Sequence, residues 1–124
     1  MRNKITIKAP RRTQKNVLRE HIQKVLKAEQ CLKGVNIILA DDTLLARLNE
    51  RFKSKKGPTD VLSFPFEEED FLGEVYVSLD KAVEQSQKYG AALNDEIKRL
   101  VVHGILHLLG YNHRQMPSRL KRYL

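Results

Sequence analysis

The chain has 124 residues, so one domain spanning 1–124 is expected, large enough for a single core without disulfide staples. Hydrophobic residues make up 41% and are spread along the chain, which excludes wholesale disorder, and a lone cysteine, Cys31, excludes an internal disulfide or a cysteine-built metal site. Lysine and arginine number 23 against 15 acids, a net charge of +8, which draws polyanions or at the least gives a well-solvated basic surface.

Residues 3–9 (NKITIKA) alternate Ile5 and Ile7 with polar neighbours and predict a half-buried strand. Pro10 then opens a helical segment to about Ala28, with Val17, Ile22, Val25 and Leu26 at helical spacing. Within it His21 reads as a surface residue, and beyond it Cys31 reads as a small packed hydrophobe rather than a nucleophile. Gly34 ends that unit, and 35–40 (VNIILA) predicts a buried strand. Asp41 or Asp42 caps the next helix, whose inward stripe is Leu44, Leu45 and Leu48.

The basic loop 54–58 leads into 60–66 (DVLSFPF), an extended run whose Pro65 cannot donate to a sheet and therefore belongs at an edge or strand end. The acidic stretch 67–70 predicts an exposed hairpin connection, and 72–78 (LGEVYVS) a fourth strand. A helix over 79–89 stops at Gly90. Asn94 is expected to cap the last strong helix, 94–110 (NDEIKRLVVHGILHLLG), with Asp95 and Glu96 in its first turn and Ile97, Leu100, Val101, Ile105 and Leu108 as its core stripe. No apolar run approaches the roughly 20 residues of a membrane helix, and the N-terminus has no signal-peptide pattern. A cytoplasmic location is expected, which the single free thiol also fits.

Residues 103–113 read HGILHLLGYNH. His103 and His107, four apart, share one helix face at the border of the core stripe. Gly110 permits a left-handed turn that swings His113 back towards them. Three imidazoles with one coordination position left over is the donor set of a catalytic zinc site, although nickel, copper or iron also suit imidazole. A zinc protease with this spacing has a glutamate after its first histidine as general base. Gly104 cannot do that work, so peptide hydrolysis by that route is disfavoured. Glycine inside a helix costs about 1 kcal/mol relative to alanine, which predicts close approach of another backbone or of substrate there. Basic residues flank the motif: Arg47, Arg51, Lys53, Lys55 and Lys56 before it, Arg114, Arg119, Lys121 and Arg122 after it. A metal that polarises a phosphoryl oxygen beside such cations points to phosphodiester chemistry.

HGILHLLGYNH closely resembles the signature of the YbeY family of bacterial endoribonucleases, also called rRNA maturation factors. LNERFKSKKGPTDVLSFPF (48–66) is similar to that family's segment ending in Pro-Thr-Asp-Val-Leu-Ser-Phe-Pro, and LGEVYVS to its Leu-Gly-Asp strand. The resemblance implies an α+β, zincin-like fold, with a mixed four-stranded sheet and surrounding helices. It implies a zinc-dependent, single-strand-specific endoribonuclease acting on ribosomal RNA in small-subunit 16S rRNA 3′-end maturation and ribosome quality control. His103, His107 and His113 would hold one zinc ion. Asn112, Lys53 and Glu74 stand where the family usually has aspartate, arginine and aspartate.

Lys53, with Arg51 beside it, is expected to steady transition-state charge. Asp60 or Glu74 is expected to orient water or a ligand histidine, unless they serve only as caps of turns and strands. Phe64 and Phe66 read as packing residues, with base stacking as their alternative. Two other readings stay open: a ribosome-associated RNA-binding module with a structural or vestigial metal, and a metal hydrolase of another substrate class.

Overall fold

Strand β1 (Ile5–Lys8) buries Ile5 and Ile7 on one side, as the alternation predicts, in a computed structural model that describes residues 3–124. The polypeptide continues through α1 (Lys15–Ala28), β2 (Gly34–Ala40), α2 (Asp42–Lys53), β3 (Val61–Pro65), β4 (Phe71–Ser78), α3 (Leu79–Tyr89), α4 (Leu93–Leu108) and α5 (Met116–Lys121). The strands form one mixed sheet in the order β1-β2-β4-β3, with β1, β2 and β4 parallel and β3 antiparallel to β4. The fold is therefore α+β, four strands and five helices among the described residues. Strand β3 lies at the edge, so Pro65, at its end, leaves no interior ladder position unpaired. The acidic residues 67–70 form the exposed connection to β4.

The register sorts side chains by face. Ile5, Val35, Ile37, Leu39, Val75 and Val77 point to the side covered by α1 and α4, and with Ile22, Val25, Leu26, Leu100, Val101 and Ile105 they make the main core. The opposite face over β3 and β4 carries Leu62, Phe64, Glu74 and Tyr76, and there α2 buries Leu45. In α2 the Asp41 carboxylate accepts from the Leu44 N–H at 2.9 Å, which settles which aspartate caps it. Leu44 and Leu48 are half-buried.

Several expectations are corrected. Helix α1 starts at Lys15 because Pro10 to Thr13 closes a separate turn, Thr13 N–H to Pro10 C=O at 3.0 Å. Val17 is 54% exposed and Leu18 takes its place in the core stripe. His21 is half-buried rather than on the surface; burial and the nearby Lys98 and Lys24 charges hold its imidazole below the usual range despite an opposing hydrogen bond to the Tyr123 backbone. Asn94 lies inside the first turn of α4, and Ala92 occupies the cap position without a side-chain bond. Phe64 and Phe66 do pack, but outside the main core cluster, Phe64 against Phe52 and Tyr76 and Phe66 against Phe71. Helix α5, which buries Met116, goes unseen in the sequence, where six residues are too few to show a helical period. Among the described residues no helix is long and apolar enough to cross a membrane.

Candidate active site

His103 and His107 owe their position to how closely α4 lies on the sheet. A Cβ built at Gly104 would fall 2.4 Å from Val75 Cγ1 and 3.1 Å from Ser63 Oγ, so only glycine allows this contact. The Ser63 hydroxyl donates to the Gly104 carbonyl at 2.9 Å, fastening β3 to the helix at the same point. The expected close approach is real, but the partner is a pair of side chains from β3 and β4 rather than a backbone or a substrate.

With α4 so placed, the Nε2 atoms of His103 and His107 come within 3.0 Å, their rings 4.8 Å apart and 29° from parallel. Two imidazole nitrogens about 2.0–2.1 Å from one tetrahedral ion would stand roughly 3.3 Å apart. The pair fits a shared ion with little adjustment. Both imidazoles are held below the usual range. For His103 the cause is burial, then the neighbouring His107, with Asp60 opposing. For His107 it is burial, then His113 and Lys53. Neutral imidazole is the form that binds metal.

His113 arrives by a turn. Gly110 takes a left-handed φ of 98°, and the Tyr111 N–H bonds back to the Leu106 carbonyl at 3.1 Å. Asn112 and Gln115 then form a reciprocal capping box. Asn112 Oδ1 accepts from the Gln115 N–H at 3.0 Å, while Gln115 Oε1 accepts from the Asn112 N–H at 2.9 Å. This fixes the first turn of the segment leading into α5 and sets His113 edge-on to His107, ring centres 5.8 Å apart. Among the described residues no group of three or more His, Cys, Asp or Glu side chains stands ready-closed around an ion. Two rings converge and the third stands edge-on to His107.

The turn is tied to the far end of α1. Glu29, with a side chain only 6% exposed, accepts from the Tyr111 hydroxyl at 2.5 Å and from the Tyr123 hydroxyl, and lies 3.6 Å from Arg119 Nε. The Arg119 guanidinium stacks over the Tyr111 ring at 4.8 Å. None of these partners has a spacing that sequence reasoning could have joined to Glu29.

The three histidines line a cleft of about 520 Å³ along the free edge of β3, together with Asn49, Lys53, Lys55, Asp60 and Ser63. Lys53 and Asp60 are thus brought to the histidines. Asp60 Oδ2 accepts from Gln85 Nε2 at 3.2 Å, and Gln85 Oε1 from Arg99 at 3.4 Å. Arg99 grips the buried Glu96 with two bonds, 2.9 and 2.6 Å. Gln85, Arg99 and Glu96 escape the motif reading, though Glu96, Arg99 and His103 at i, i+3 and i+7 share one face of α4 and offered a signal. Arg51 and Glu74 are not brought to the cleft wall. The Arg51 guanidinium lies over Phe52 at 5.4 Å, and Glu74 faces the other side of the sheet, accepting from Tyr76 at 3.2 Å and Asn36 at 3.4 Å.

A family model described as Endoribonuclease YbeY matches residues 1–122. The Endoribonuclease YbeY of Aquifex aeolicus is 36% identical, over 98% of this chain and 85% of its own length. That of Carboxydothermus hydrogenoformans is 40% identical, over 79% of this chain and 71% of its own. The solution structure of TM1509 from Thermotoga maritima superposes with a TM-score of 0.71 at 34% identity, covering 96% of this chain and 85% of that one.

Proposed function

Because this chain belongs to the endoribonuclease YbeY family, we propose that it is a metal-dependent endoribonuclease that cuts single-stranded RNA in the cleft along β3. The observation that carries this reading is the pair of Nε2 atoms 3.0 Å apart in a cleft walled by Lys53 and Lys55. His103, His107 and His113 would hold one zinc ion. When bound, such an ion polarises a phosphoryl oxygen and makes a water nucleophile accessible near neutral pH.

The remaining roles fall to the chain's own groups. Lys53 and Lys55 attract the phosphate backbone and offset the charge that grows on the phosphoryl oxygens. Asp60, steadied through Oδ2 by Gln85, presents a carboxylate to the cleft that orients His103 and the attacking water. Gly104 offers no general base. The substrate within the cell is ribosomal RNA of the small subunit, at 16S 3′-end maturation and in quality control. The motif resemblance to rRNA maturation factors and the charge of +8 support this finer assignment.

The test is cleavage of a single-stranded oligoribonucleotide by zinc-loaded protein, with a duplex control, a chelator and His107→Ala. Chelation or the substitution should lower the rate by on the order of a hundredfold or more, since even changes one shell further out cost 10–100-fold. Cutting that survives both would overturn the reading. Metal removal that unfolds a protein inactive when intact would instead indicate a binding module with a structural ion.

A further inference from the structure

Phe52 stands in the last turn of α2 with 57% of its surface open to solvent, next to a residue that walls the cleft. It is not loosely held. Its ring meets Phe64 edge to face, centres 5.5 Å apart at 74°, and Phe64 meets Tyr76 in the same way at 5.7 Å and 83°. This three-ring ladder braces Phe52 against the far face of β3 and β4. Cations flank it: the Arg51 guanidinium lies 5.4 Å from the Phe52 centroid, and Lys53 Nζ lies 5.3 Å from that of Phe64 while also lining the cleft. Another aromatic, Tyr89, is as open (69%) and also has a lysine over its ring, but it lines neither the cleft nor any ladder.

We infer that Phe52 is a stacking platform for an unpaired nucleobase of single-stranded RNA whose backbone enters the histidine cleft beside Lys53. Arg51, outside the cleft wall, is the platform's backbone-phosphate contact. The inference rests on the proposed nuclease reading and adds a physical source for single-strand preference. A base can lie on an exposed ring only when it is out of a duplex stack, and every base has a π-face, so the contact selects strandedness rather than sequence. Charge complementarity favours this occupant: besides Arg51 and Lys53, Lys55 and Lys56 follow directly and are exposed.

The experiment measures binding of a short single-stranded oligoribonucleotide by fluorescence anisotropy in chelator, so that no cutting intervenes. Phe52→Leu keeps apolar bulk but removes the π-face, and it should weaken binding by roughly 5- to 150-fold, the range for one base–aromatic stack. Phe52→Trp should restore it. The salt dependence should keep its slope in both variants, since no charge is lost. Tyr89→Leu should leave binding unchanged. As a check independent of folding, a single abasic nucleotide walked along the RNA should weaken wild-type binding at one position and have no effect there on Phe52→Leu. Wild-type binding with Phe52→Leu equal to it, or a flat abasic scan, would overturn the platform alone. Absence of any single-strand binding by the wild type would take down the nuclease reading with it.

Discussion

The two histidines on α4 and the third beyond it reach one cleft by different physics. His103 and His107 are placed locally: helical spacing puts them on one face, and Gly104 lets that face settle on Val75. His113 is placed by distant groups. Its turn is bound through Tyr111 to Glu29, 82 positions earlier, and the residues just after α5 are bound to the same carboxylate through Tyr123, 94 positions away. One half of the site is thus rigid because a helix is rigid. The other half depends on a buried carboxylate and its partners, together with the cap at Asn112.

The largest test breaks the local half. Gly104→Ala puts a methyl 2.4 Å from Val75 Cγ1, and Val75 is fully buried with nowhere to turn. Overpacking costs about 1–3 kcal/mol, partly offset by alanine's gain of about 1 kcal/mol in helix propensity, so a net loss of up to about 2 kcal/mol is expected in denaturant titration. Zinc affinity should fall as well, because α4 must lift from the sheet. Stability and affinity both at wild-type level would mean that this contact does not set the histidine pair.

A smaller effect sharpens the other half. Glu29→Gln keeps the shape but removes the charge that both tyrosines and Arg119 address, with an expected loss of about 1 kcal/mol. Its signature is the pH dependence. Burial pushes the Glu29 carboxyl up, but hydrogen bonds from Tyr111 and Tyr123 and the charges of Arg119 and Arg122 outweigh it and hold it below the usual range. A depressed carboxyl stabilises the fold in full above its unfolded value, about 4.3, and loses that contribution as pH falls through the lower folded value. Tyr123 gives the opposite limb. Burial and Glu29 push it up to about 12, so its share is present below the ordinary tyrosine value of about 10 and fades as pH rises through 12. The stability gap between wild type and Glu29→Gln, followed by denaturation from acid to alkali, should be flat at neutral pH and close at both ends. A gap constant across the range would show that the carboxylate's ionisation is irrelevant to the latch.

That asymmetry also explains what was legible beforehand. Ile5, Ile7 and the α4 stripe follow periods of 2 and 3.6, and those periods survive folding because each element buries one face. Lys53 and Asp60 were traceable through a motif that happens to follow the free edge of β3 into the cleft. The faces of the sheet were not legible. Glu74 and Asp60 look alike in sequence, yet strand register turns Glu74 away from the histidines. The Glu29 latch and α5 were hidden for a related reason: a contact across 82 or 94 positions leaves no local period, and a six-residue helix is too short to show one.

The smallest expected effect concerns Asn112. Its side chain addresses the backbone of the turn, accepting from the N–H groups of Arg114 and Gln115, both at 3.0 Å. Asparagine and aspartate cap about equally well, and the Gln115 amide closes the box from the other side in either case. Asn112→Asp should therefore change stability by no more than about 0.5 kcal/mol. Asn112→Ala should cost about 0.5–2 kcal/mol and loosen His113, because the cap itself is lost. Zinc affinity of the aspartate variant should move by less than about tenfold, the lower end of what a neighbour of a ligand does. An amide and a carboxylate at position 112 then differ in charge but not in the work of holding the turn. A cleavage rate that climbed by orders of magnitude in Asn112→Asp would reverse that conclusion and place position 112 in the chemistry, with the cap as its secondary task.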